Sequence, residues 1–148
     1  MKYRSLILAL FLFASCKEEP AVGSHQRQPQ GYYDMVYADN SEGMIKVMKG
    51  KKYGFVNTRG EEVVPVIYEE AEAFMEGLSV VKKGGKWGFV DSFGKVQIDF
   101  KFDAADGFIN GFTRVKLGKK TGVINKKGEL VIPAKYVFID AITRESQK

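Results

Sequence analysis

The chain is poor in the residues that most often carry chemistry. Its 148 residues include one cysteine, one histidine and one tryptophan. A lone cysteine has no internal partner, so a disulfide framework within the chain is excluded. The only histidine, His25, lies in KEEPAVGSHQRQPQG at residues 17–31. That composition cannot bury enough apolar surface to fold, so it reads as a solvated tether. Neither a nucleophile–histidine pair nor a Cys/His cluster with metal-ligand spacing is present, and no cofactor motif is read. Nor does a spanning helix show itself: LILALFLFA at residues 6–14 is an apolar run of nine, where about 20 are needed.

That run has a different meaning. Lys2 and Arg4 precede it and FASC ends it, with Ala14 and Ser15 directly before Cys16. A positive region followed by a short apolar run is the order of a secretory signal peptide. The ending resembles the lipobox of bacterial lipoproteins, in which the cysteine is lipidated and becomes the new first residue. Phe13 stands where leucine is usual. A free or disulfide-forming Cys16 behind an ordinary signal peptide is the plainer alternative. The resemblance implies a signal peptide at residues 1–15, a lipidated Cys16 holding the protein to a membrane, and a tether over residues 16–31. One acyl chain holds a protein marginally and two hold it stably. Lys17 is not the aspartate typical of inner-membrane retention, which points to the outer membrane. CKEE further looks like a short lysine-plus-acidic signal for export to the cell surface.

What the chain has in plenty is glycine, and it is periodic. Residues 42–75, 76–109 and 110–143 align without insertion as three 34-residue units. Gly43, Gly77 and Gly111 coincide, as do Gly50, Gly84 and Gly118, then Gly54, Gly88 and Gly122, then Gly60, Gly94 and Gly128. Twelve of sixteen glycines thus fall on four repeat positions, so the repeat dictates the fold. Four glycines per unit would cost helices heavily, whereas short segments rich in valine, isoleucine and aromatics suit strands. In the middle unit strands are expected near residues 78–82, 87–91 and 96–98. Asn57, Asp91 and Asn125 each precede a glycine by three residues, the pattern of an Asx turn with a glycine bulge. Asp91 is therefore a turn former, since its counterparts are asparagines. Residues 32–41 read as a partial unit or N-terminal cap, and residues 144–148 as a tail.

The unit KWGFVDSFGK, with EGL or NGF upstream and VIPAKY downstream, resembles the WG-repeat family of bacterial tandem β-repeats. Tyr53 and Thr121 replace Trp87 in the flanking units, and Gln97 and Asp99 interrupt the aliphatic-proline run of the middle one. The expectation is an all-β open array of about three units of short antiparallel strands, with a barrel-like wrap as the alternative. Three units and a fragment are too few for a closed propeller. The resemblance implies a binding scaffold and supplies no catalytic residues, so the protein is read as a non-enzyme. An enzyme or accessory subunit acting on envelope polymers or glycans is the alternative function.

Little chemistry is left over. KKGGKWG precedes a strand and lacks the context of a phosphate-binding loop, while Glu69, Glu70, Asp103 and Asp106 read as solvated charge. Lysines, by contrast, recur in phase at one turn: Lys49, Lys51, Lys52, then Lys82, Lys83, Lys86, then Lys116, Lys119, Lys120. Without Lys2 and Arg4 the 23 basic residues fall to 21 against 18 acidic ones, so positive charge is local and not global. Such lysines solubilise turns and discourage edge pairing. Alternatively they form a stripe for an anionic partner, such as lipopolysaccharide, an acidic glycan or an acidic envelope protein. Nucleic acid is not expected as a partner of an exported protein.

Overall fold

Short segments rich in valine, isoleucine and aromatics build three four-stranded antiparallel sheets in the computed structural model, which describes residues 31–137. The first holds β1 (Met35–Ser41), β2 (Met44–Lys49), β3 (Lys52–Asn57) and β4 (Glu62–Tyr68). The second holds β5 (Glu70–Ala71), β6 (Leu78–Lys83), β7 (Lys86–Asp91) and β8 (Val96–Phe102). The third holds β9 (Ala104–Ala105), β10 (Phe112–Leu117), β11 (Lys120–Asn125) and β12 (Leu130–Tyr136). Each sheet pairs its strands in chain order and none closes on itself. The fold is an open all-β array.

Three expected strands per unit become four per sheet. The additional strand comes from the end of the preceding unit: β5 pairs with β6 through Glu70↔Lys82 and Ala71↔Val81, and β9 repeats this on β10. Sheets therefore straddle the sequence units and are laced together by covalent continuity. The lacing runs through two-residue turns at Glu42-Gly43, Glu76-Gly77 and Asn110-Gly111, whose residues all have positive φ. Asn-Gly is the favoured pair for such a turn. Glutamate is not, because a positive φ is uncommon outside glycine, asparagine and aspartate.

The second strand of each unit carries a glycine that the fold requires. Opposite it, the register slips, so that Trp87 faces Phe102 while Phe89 faces Ile98. The resulting bulge presses backbone onto the strand: a Cβ on Gly88 would lie 2.8 Å from the Ile98 carbonyl oxygen. At Gly54 and Gly122 the same contacts, to Val64 and Ile132, would be 2.5 and 2.8 Å. Here the close neighbour is another strand's backbone.

Sheets pack front to back. Phe55, Val64, Tyr68 and Phe74 of the first unit share a buried cluster with Val81 and Val90 of the second. One unit further on, Phe89, Ile98, Phe102 and Phe108 meet Val115 and Ile124. Phe55 and Phe74 meet edge to face at 4.9 Å, as Phe89 and Phe108 do at 5.0 Å. Each fully buried side chain of this size contributes roughly 1.5–3 kcal/mol, so the two clusters hold successive units together alongside the strand pairing. The third sheet's front is different. Ile132 and Tyr136 are 37% and 45% exposed, where Ile98 and Phe102 are 4% and 1%.

Candidate binding surface

Cys16 and His25 lie outside the described residues. The nine lysines of the repeated turn lie at the β2–β3, β6–β7 and β10–β11 hairpin ends, one hairpin per sheet. These hairpins do not stand alone. Asp34 accepts from the N–H of Gly50 at 2.7 Å, Glu69 from Gly84 at 2.8 Å and Gly85 at 3.1 Å, and Asp103 from Gly118 at 2.6 Å. Every lysine turn is thus capped by a carboxylate from the residue just before its own sheet's first strand. The backbone alongside repeats too: the N–H groups of Asp34, Glu69 and Asp103 donate to Met48, Lys82 and Lys116.

Lysines and carboxylates alternate along this edge. Lys82 pairs with Glu70 at 2.7 Å, and Lys86 Nζ donates to Asp103 Oδ1, which belongs to the cap of the next turn. Lys49 Nζ sits 3.2 Å from the Tyr32 ring centroid. Lys51, Lys83, Lys119 and Lys120 are exposed and form no ion pair among the described residues. Backbone N–H bonds from Gly85 and Gly84, with Lys52 and Lys82 nearby, hold the Glu69 carboxyl below its ordinary value. For Asp103 the Lys86 contact and the Gly118 N–H do the same. Nine lysines therefore share the edge with Asp34, Glu69, Glu70 and Asp103. It stays net positive, with its backbone donors already occupied.

A second ladder joins the two-residue turns. Glu42 accepts from Gly77 at 2.8 Å and Glu76 from Gly111 at 2.9 Å, so each unit's first residue caps the next unit's turn. At Glu76 burial raises the carboxyl pKa, but the Gly111 N–H and Lys126 outweigh it, and the net shift is downward. This role accounts for glutamate at a positive φ. The sequence offered only the Glu-Gly repetition as a signal, because the partner is a backbone N–H 35 residues away.

The turn residues act as expected from their spacing. Asp91 Oδ1 accepts from Phe93 and Lys95 at 2.9 and 3.0 Å, and its Oδ2 from Gln97 at 2.6 Å. Asn57 and Asn125 make the same backbone contacts, with Glu61 and Glu129 taking their amides. Gln97 thus complements aspartate where glutamate complements asparagine. Asp91 is saturated by turn bonds. Trp87 is partly buried against the Phe89 cluster, and Lys82 Nζ lies 5.5 Å from its ring centroid. Asp106 pairs with Arg114 at 2.8 Å. Among the described residues no group of three His, Cys, Asp or Glu is placed to hold a metal ion.

Tandem antiparallel sheets, each finished by its neighbour's strand and joined by in-phase caps, define an open β-repeat scaffold. The family model described as WG containing repeat matches residues 53–87, 87–120 and 122–145. The chain belongs to this WG-repeat family. The first two matched units begin at Tyr53 and Trp87, eleven residues into the units defined by the glycine alignment, and the third begins at Gly122, one residue later in its unit. No curated protein and no solved structure matches the chain.

Proposed function

We propose that this protein is a membrane-anchored lipoprotein of the bacterial outer membrane, facing the cell surface, whose repeats form a non-catalytic binding scaffold for an anionic envelope partner. The observation that carries the binding reading is the lysine edge. Sheets packed face to face lie about 10 Å apart, close to the Debye length of about 10 Å at 0.1 M salt. Successive lysine rows therefore act on a partner together at low salt, and one partner spanning several rows gains from each. Anchoring rests on the FASC sequence before Cys16, and a surface position on CKEE.

Two measurements test this. Replacing Lys49, Lys51, Lys52, Lys82, Lys83 and Lys86 with serine should elute the protein from an immobilised acidic polysaccharide at clearly lower salt. Unchanged elution removes the edge from the account. Cells fed labelled palmitate should incorporate it into the wild-type protein and not into Cys16→Ser; equal labelling would refute lipidation at Cys16.

A further inference from the structure

The third sheet carries a shallow depression on its β9–β10–β11 face. About 180 Å³ in volume, it is lined by Ala104, Ala105, Asp106, Arg114, Val115, Lys116 and Thr121. Thirty-four residues earlier the corresponding places hold Glu70, Ala71, Glu72, Val80, Val81, Lys82 and Trp87. In the second sheet Lys82 has two partners, the Glu70 carboxylate at 2.7 Å and the Trp87 ring with its centroid at 5.5 Å. In the third sheet the cation is kept as Lys116, while both partners are truncated, glutamate to Ala104 and tryptophan to Thr121. Lys116 is exposed and forms no ion pair among the described residues; it acts on the Asp103 carboxylate only through space, since that group is hydrogen-bonded by Lys86 and the Gly118 N–H.

Size and chemistry then agree. A cavity of about 150 Å³ accommodates a benzene ring, so the depression takes one aromatic ring. A cation at its wall favours a ring face and a carboxylate, the pair that the second sheet supplies to Lys82 from its own chain. We propose that the Ala104–Lys116–Thr121 depression binds an aromatic group carrying a carboxylate beside it, from a free aromatic acid or from a partner polypeptide with an acidic residue next to a tryptophan or tyrosine. Lys116 is itself one of the nine edge lysines, but the six-lysine variant above leaves it in place, so weaker retention on a polysaccharide and loss of ring binding are read separately.

The probe is N-acetyl-5-fluorotryptophan, followed by fluorine NMR against the full chain, which the protein's own Trp87 does not obscure. Saturable binding is expected with a Kd on the order of 0.1–1 mM, as befits a small ligand. The corresponding amide, which lacks the carboxylate, should bind several-fold more weakly. Thr121→Trp restores the ring and should weaken binding about tenfold or more. Ala104→Glu restores the carboxylate and should weaken it about threefold, which keeps the test intact if the tryptophan variant does not fold. A blocked glutamyl-tryptophan amide binding as well as the free acid assigns the ligand to a polypeptide; binding of the free acid alone assigns it to a small aromatic acid. Failure to saturate below about 5 mM, or wild-type binding by both variants, overturns the proposal.

Discussion

Gly88 has no space for a methyl group, because the bulged β8 backbone would lie 2.8 Å from its Cβ at the Ile98 oxygen. Phe100 limits any retreat, with its ring carbon 3.0 Å away and the ring itself stacked on Tyr68 at 6.0 Å. Gly88→Ala should therefore destabilise the fold by about 1–3 kcal/mol, the usual cost of overpacking, read as a lower urea midpoint with unchanged slope. Full stability of the variant would mean that the bulge is not pressed against β7. Gly94 differs in kind: it has a φ of 78°, and a Cβ there would meet the Val63 oxygen of the preceding unit at 2.4 Å. It is both a turn residue and a contact between sheets.

At the scale of elements, the caps decide how the turns respond to acid. Glu69 and Asp103 are both lowered, from ordinary values of 4.5 and 3.8. A lowered folded-state value means that their stabilisation is complete above those ordinary values and is lost as the pH falls through the lowered ones. Glu72, raised by burial and by Asp106, works in the opposite direction. The double variant Glu69→Gln, Asp103→Asn keeps an oxygen acceptor at each cap and removes the titration. Its melting temperature should fall less than that of the wild type between pH 6 and pH 3, and an identical acid limb would refute the caps. The 34-residue unit, the Asx turns and the strand glycines were legible in sequence, because each leaves a residue-type signature at a fixed period. The two-residue strands Glu70–Ala71 and Ala104–Ala105 were not, being too short to show alternation. Nor were the carboxylate caps: Glu69 and Asp103 look like solvated charge until the fold brings Gly84 and Gly118 to them. The lysines were visible as a phase-locked set, but not the acids threaded between them.

The whole molecule behaves as a line of nearest-neighbour contacts, each sheet front covering the next sheet's back. Stability in such an array is close to a sum of unit and interface terms. Inserting a second copy of residues 76–109 after residue 109 should therefore yield a folded, longer array with a higher melting temperature. A copy that unfolds the chain or lowers its melting temperature would contradict the additive picture. The open front-to-back order is the claim on which both the lysine edge and the third-sheet site depend. Methyl NOEs in a selectively labelled sample test it most directly. The account predicts cross-peaks from Val64 to Val81 and Val90, and from Ile98 to Val115 and Ile124. Cross-peaks from Ile132 or Val123 to Val47 or Val56 would instead show the ends meeting in a closed wrap, and would contradict it.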